Sequence, residues 1–185
     1  MTKPDEAKSP NTNDTSDIQQ LIDFQFDVLR RYDQYIGTTN FKVGLQVSFL
    51  TAVIAALLLR FGGIENASSL PCLVRLAIIF NGMAALAAIF FLLQSNSPKT
   101  PTGTYKSFLF FGDVAGWEGG AKGYQADFSS SDEKSRLQDL CCQSHAVAEI
   151  TLEKFRLIGI ATKITLFVVL PLLACNILIF IAGDF

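Results

Sequence analysis

Cys141 and His145 are the residues whose types and spacing come nearest to a catalytic arrangement in this chain. Four positions apart on a helix, a thiol and an imidazole face the same side, where the imidazole could accept the thiol proton. No neighbouring group orients the imidazole, no serine stands in a nucleophile elbow, and no pair of carboxylates marks an acid–base site. We therefore interpret Cys141 as an ordinary packed cysteine and expect no enzymatic activity.

Glycines and cysteines are the other residues that could form a small-molecule or metal site. The glycines between positions 112 and 123 match neither the phosphate-binding loop G-x-x-x-x-G-K-[ST] nor a strand-led G-x-G-x-x-G. The four cysteines show no C-x-x-C spacing and no histidine-rich surroundings. We expect free thiols, no metal and no cofactor.

Three hydrophobic segments determine the fold class. The chain has 185 residues, of which 50% are hydrophobic, and residues 43–59, 76–93 and 164–182 are uncharged apolar runs. A helix of 17 to 19 residues rises about 26–28 Å, close to the ~30 Å hydrocarbon layer of a bilayer. The sequence therefore predicts an all-α membrane protein with three transmembrane helices and a small cytoplasmic helical layer. The net charge of −2 provides no basic face for a nucleic-acid polymer.

The basic residues near the spans predict the orientation. Lys and Arg are more frequent before the first span and after the second than between them. The positive-inside rule then places the N-terminus and residues 94–163 in the cytoplasm.

Several residues inside the spans suggest how the helices pack. Asn81 and Asn176 lie at similar depths and could pair as interhelical amides, which we favour over the alternative that they line a pore. Pro171 lacks an N–H and is expected to bend the third span. Small residues at four-residue spacing predict close packing of the first two spans at Ala52 and Ala56, and at Ala84 and Ala88.

The polar segments divide into a tail and two helical regions. Residues 1–15 are polar and aperiodic, which predicts disorder. Residues 16–42 form an amphipathic helix that starts at a capping box of Ser16 and Gln19, with its apolar face covered by the last loop, a second protomer or the bilayer surface. Residues 43–93 are a two-span hairpin. In residues 94–163, Ser130 and Glu133 predict the start of a long helix that continues into the third span at residues 164–182.

The order of these parts resembles the Pycsar-type transmembrane effectors (PycTM), a family related to the SLATT-type two-span effectors. The resemblance runs from about Tyr35 to Ile181 and rests on the tight hairpin together with the following residues: Thr39, Asn40, Lys42, the run from Phe110 to Asp113, His145, Ala148, Lys154, Phe155, Ile160 and Ala161. The family usually has an aspartate where this chain has Asn40.

The resemblance implies a bacterial antiphage effector of the inner membrane. It would respond to a cyclic pyrimidine mononucleotide, cCMP or cUMP, made by a partner pyrimidine cyclase. The response would be loss of membrane integrity and abortive infection. We expect such a chain to act as a homo-oligomer in the lipid bilayer. Two alternatives are a membrane effector gated by a cyclic oligonucleotide and a membrane scaffold or accessory subunit without a signalling role.

A cyclic mononucleotide needs an aromatic face for its base and a cation for its phosphate. Residues that could provide them are Phe110, Phe111, Trp117 and Tyr124, with Lys42, Lys106 or Arg156. Lys122 is a further cation. The alternative is that the aromatic residues pack the cytoplasmic helices or lie at the lipid interface.

Overall fold

A computed structural model describes residues 12–62, 71–97 and 106–182, and these residues form helices without any strand. The helices are α1 (Thr12–Gly62), α2 (Cys72–Asn96), α3 (Phe111–Ala115), α4 (Gly120–Ser130), α5 (Glu133–Ile164) and α6 (Leu170–Ala182), with a π-helical segment (Thr165–Val169) between α5 and α6. The predicted disorder of residues 1–15 lies for the most part outside the described residues.

The chain divides into two compact units. Unit 1 comprises Met1–Gln34 and Thr100–Glu149, and unit 2 comprises Tyr35–Lys99 and Ile150–Phe185. Helices α1 and α5 each contribute residues to both units.

Unit 2 contains the predicted spans. Three helices are long and apolar enough to cross a membrane, within Ser16–Leu59, Cys72–Asn96 and Glu133–Ile179. This confirms the prediction of an all-α membrane protein, and the long second helical region continues without a break into the third span. The buried core of this unit consists of Val43, Leu50, Val53, Leu57, Ala85, Ala88, Leu92, Ala161 and Val169.

The four alanines that were predicted to pack the first two spans together differ in burial, and the close packing itself stays a prediction. Ala88 is buried and Ala84 is half-buried on α2, but Ala52 and Ala56 on α1 are exposed. The buried face of α1 instead carries Val53 and Leu57, because the core-facing residues of this helix recur at spacings of 7, 3 and 4 from Val43, and the two alanines fall on another side.

Some polar side chains within the spans form hydrogen bonds, and others have no partner among the described residues. Gln46 of α1 donates from Nε2 to Thr165 Oγ1 at 3.2 Å, and Thr165 Oγ1 donates to the carbonyl of Ala161 at 2.9 Å. Asn81 and Asn176, in contrast, have no hydrogen-bond partner among the described residues, so the predicted pairing is wrong for this structure.

A π-helical segment lies next to Pro171 and ends at Val169, two residues before the proline. Proline lacks an N–H and its ring crowds the carbonyl four residues earlier, here that of Phe167. Phe167 lies within the π-helical segment, whose turns are wider than those of an α-helix. The bend itself stays a prediction.

Both helix starts predicted from capping boxes are wrong. Helix α1 begins at Thr12, before Ser16. Helix α5 is capped by Asp132, whose Oδ1 accepts the N–H of Ser135 at 3.1 Å. Ser130 ends α4 and donates its hydroxyl to the carbonyl of Asp127. The cap of α5 is thus an aspartate two residues after the predicted serine.

Candidate ligand site

Four aromatic rings form the centre of unit 1. Phe108 stacks on Trp117 with centroids 5.0 Å apart, and it meets Phe128 edge to face at 5.7 Å. Tyr124 contacts Trp117 at 5.3 Å. The sequence pattern indicated Trp117 and Tyr124 but omitted Phe108 and Phe128 from the candidate site. Their roles become visible only when α4 folds back over residue 108.

The indole N–H of Trp117 and the hydroxyl of Tyr124 both form hydrogen bonds within unit 1. Trp117 is only 7% exposed and donates from Nε1 to Asp127 Oδ2 at 3.0 Å. Tyr124 donates its hydroxyl to the carbonyl of Phe108 at 3.0 Å. These contacts correspond to the packing alternative for both residues.

The remaining candidates of unit 1 lie around this cluster. Lys106 Nζ is 4.0 Å from the centroid of the Trp117 ring, a cation–π contact. Phe110 and Phe111 contact each other at 4.8 Å, and Phe111 is 75% exposed. Lys122 is exposed on α4. The structure therefore brings Lys106, Trp117 and Tyr124 together and leaves Phe111 at the surface.

The glycine-rich stretch is a tight connection between α3 and α4. Gly119 and Gly120 have positive φ angles of 76° and 62°, which favour glycine. A Cβ on Gly123 would lie 2.1 Å from the carbonyl oxygen of Glu118. The backbone conformation at Gly119 and Gly120 and the close approach at Gly123 thus explain why these three positions are glycines.

Two carboxylates hold the segment that precedes α3. Asp113 Oδ2 accepts the N–H of Ser107, and Asp139 Oδ2 accepts the N–H of Phe108, both at 2.8 Å. Asp139 is 1% exposed, and its other oxygen, Oδ1, has no hydrogen-bond partner among the described residues. A buried carboxylate oxygen without a donor is costly, so Asp139 is an unusual feature of this unit.

Asp139 lines a cleft of about 190 Å³ within unit 1. Six of the lining residues are Ile22 and Phe26 of α1, Phe108, Phe128 of α4, and Arg136 and Asp139 of α5. The lining shows that residues 108–140 cover part of the apolar face of α1, which is the first of the three coverings considered for it. Sequence reasoning missed the cleft because its lining residues, from Gln19 to Leu140, are up to 121 positions apart and form no motif.

Arg136 is the cation of this cleft among the described lining residues. Its guanidinium carbon lies 4.7 Å from the centroid of the Phe128 ring. Its Nε donates to Ser131 Oγ at 3.0 Å, and an Nη donates to the carbonyls of Phe128 and Ser131. Arg136 therefore also closes the C-terminus of α4.

The other two candidates, Lys42 and Arg156, belong to unit 2. Lys42 is exposed, and Arg156 forms an ion pair with Glu153 at 3.2 Å. The better-connected cation there is Lys154, which donates from Nζ to Asn40 Oδ1 and to Asn96 Oδ1, the latter at 2.9 Å. Burial lowers the pKa of Lys154 below its ordinary value.

The Cys141 and His145 pair has no catalytic geometry. Both side chains are exposed, and His145 Nδ1 lies 3.9 Å from Glu149 Oε2, one helical turn further along α5. The imidazole therefore faces a carboxylate at the surface and is not held against the thiol.

The fold and the site together define a small helical membrane protein whose aromatic-rich unit 1 contains a cleft lined by a buried carboxylate. Residues 24–182 match the Pycsar effector protein domain, PycTM. The match covers most of the chain, and the chain belongs to this family. No curated protein and no solved structure gives a significant match. Membership of the family supports an antiphage effector role.

Proposed function

We propose that this protein responds to a cyclic pyrimidine mononucleotide, cCMP or cUMP, by impairing the integrity of the bacterial inner membrane and so causing abortive infection. The observation that carries the proposal is the match to the Pycsar effector domain over residues 24–182. A pyrimidine cyclase activated by infection would supply the nucleotide, and the effector itself would need no catalytic activity.

The architecture supports a coupling between ligand and membrane. Helices α1 and α5 each run from unit 1 into unit 2 without a break. A change of helix position at a ligand in unit 1 would therefore reach the spans through continuous backbone. In the proposed orientation unit 1 is cytoplasmic, where a nucleotide made inside the cell would meet it.

A small ligand can supply the binding free energy that is needed to shift the protein from an inactive to an active state. Shifting a two-state equilibrium from 1:99 to 99:1 takes about 5.5 kcal/mol of differential binding. If four protomers of a homo-oligomer change together, each ligand supplies about 1.4 kcal/mol. One or two hydrogen bonds made only in the active state are enough.

A leakage assay tests the proposal. The full chain is reconstituted into liposomes that contain a self-quenched dye, and cCMP, cUMP, cAMP and a cyclic dinucleotide are added separately. We expect dye release with a cyclic pyrimidine mononucleotide and none with the others. Release only with the cyclic dinucleotide would indicate the oligonucleotide-gated alternative, and no release with any ligand would indicate a scaffold.

A further inference from the structure

Asp139, which lines the cleft of unit 1, has a buried carboxylate oxygen without a hydrogen-bond donor. Asp139 Oδ2 accepts from Phe108, whereas Oδ1 has no partner among the described residues and the side chain is 1% exposed. Native proteins pair the great majority of such atoms. A ligand that brings an N–H group to Oδ1 would remove the cost of the unpaired oxygen.

The walls of the cleft indicate the shape of that ligand. Phe26, Phe108 and Phe128 provide aromatic surface, which favours a flat ring. The volume of about 190 Å³ is smaller than the ~300–1,000 Å³ of pockets that enclose whole drug-sized molecules. The cleft therefore suits one ring of a ligand, with the remainder outside, and Arg136 is the cation available for a negatively charged remainder.

We propose that this cleft binds the base of the activating nucleotide and that Asp139 selects cytosine over uracil. This inference rests on the proposed function. Cytosine presents an amino group at its 4-position, which donates, whereas uracil presents a carbonyl oxygen there, as thymine does. A carboxylate oxygen accepts from the first and repels the second. The cyclic phosphate lies outside the cleft on the side of Arg136.

The expected selectivity follows from the kind of hydrogen bond. Bonds to a charged partner contribute enough to change affinity about 10- to 100-fold. We therefore expect cCMP to bind the wild-type protein at least ~10-fold more tightly than cUMP. The purine cAMP shares the amino group but has a two-ring base, so we expect it to bind more weakly than cCMP.

Asp139→Asn is the decisive variant because it replaces one carboxylate oxygen with an amide NH2 group and hardly changes the shape of the side chain. The amide oxygen can still accept the N–H of Phe108, and the amide nitrogen then replaces the unpartnered oxygen with a donor. Asp113→Asn is the matched control, since Asp113 holds the neighbouring N–H of Ser107 at the same distance of 2.8 Å but does not line the cleft.

Binding is measured by titrating the full-length protein in detergent, and dye release is measured in parallel. Trp117 is the only tryptophan of the chain and stacks on Phe108, so its emission reports on the cleft. We expect D139N to lose or reverse the preference for cCMP, and D113N to keep it. Ile22→Phe, which fills the cleft while Asp139 stays in place, is expected to weaken both nucleotides.

Three outcomes would overturn the assignment. They are wild-type preference for cUMP, equal binding of cAMP and cCMP, and a D139N protein that still prefers cCMP. If D139N and I22F still release dye with cCMP at the wild-type concentration, only the cleft is rejected and the proposed function stands. If no nucleotide releases dye from liposomes with the wild-type protein, the proposed function fails as well.

Discussion

Lys154 joins three helices of unit 2 through two neutral acceptors. Its ammonium group on α5 donates to Asn40 of α1 and Asn96 of α2. Asn40 and Asn96 each lie three residues outside a predicted span, and Lys154 lies ten residues before the third, so this contact joins the three helices on the same side of the spans. Burial lowers the pKa of Lys154, because neither amide offsets the lost hydration with a negative charge.

Replacing Asn40 with aspartate supplies the missing charge with almost no change of shape. A charge-assisted hydrogen bond is roughly twice as strong as a neutral one, and exposed ion pairs contribute about 0.2–1 kcal/mol. Asn40 is exposed and Lys154 is half-buried, so we expect N40D to stabilise this arrangement by about 0.5–1 kcal/mol. For a chain of this length that corresponds to a rise of roughly 1–4 °C in the unfolding midpoint.

Thermal unfolding of the detergent-solubilised protein measures this effect. The gain should shrink in about 1 M salt, where the Debye length is ~3 Å. Lys154→Met provides the control background, since N40D has no cation to pair with there. Equal stabilisation by N40D with and without Lys154, or a gain that salt leaves unchanged, would refute the reasoning.

The same contact predicts a pH dependence. The pKa of Lys154 is lower in the folded state than its usual 10.5, so between the two values the unfolded chain binds more protons. The penalty for the buried charge is fully present below the folded pKa, and it is relieved as pH rises toward 10.5. The stability of wild-type protein relative to K154M should therefore increase over that interval, and a flat difference would contradict the assignment.

Three further predictions concern other parts of the chain. Asn81→Leu removes a fully buried amide without a partner among the described residues and should stabilise the protein by about 1–3 kcal/mol in thermal unfolding, whereas the exposed Met83→Leu on the same helix should have no effect. Trp117→Phe loses the hydrogen bond to Asp127 and should destabilise unit 1 by about 1–3 kcal/mol, measured as loss of helical circular dichroism on heating. Asp132→Ala should destabilise α5 at neutral pH, because it removes the carboxylate that caps the helix. The hydrogen bonds from Ser135 lower the pKa of Asp132, so the contribution of the cap in the wild type is lost as pH falls through that lowered pKa; Asp132→Asn should retain the cap without this pH dependence, and identical acid profiles for the wild type and Asp132→Asn would contradict this.

The spans were predictable from sequence because the bilayer imposes a simple rule on length and composition. Each of residues 43–59, 76–93 and 164–182 is an uncharged apolar run, and each falls in a helix long enough to cross a membrane. The choice of packing face was less predictable. Within the apolar part of α1, Ala52 and Val53 are equally acceptable to lipid, and only the tertiary structure, in which Val53 is buried and Ala52 is exposed, distinguishes them.

The candidate site was predictable only in its aromatic composition. Trp117 and Tyr124 lie in one short stretch and could be found by inspection, whereas Ile22, Phe128 and Asp139 come from three separate helices. Asp139 also lies in a helix rich in charged residues, where an aspartate is typical of a solvated face. Its burial, which makes it notable, is a property of the tertiary structure and leaves no local pattern.

Buried polar atoms without a hydrogen-bond partner lower the stability of the folded protein. Among the described residues they belong to Asp139 in unit 1 and to Asn81 and Asn176 in unit 2. Most substitutions destabilise a protein by about 1 kcal/mol, but removing an unpaired group reverses that expectation. Proteins tend to retain such unfavourable groups at functional sites. A stabilised variant at Asn81 that also responds less to nucleotide would therefore show that the unpaired amide serves the response and not the fold.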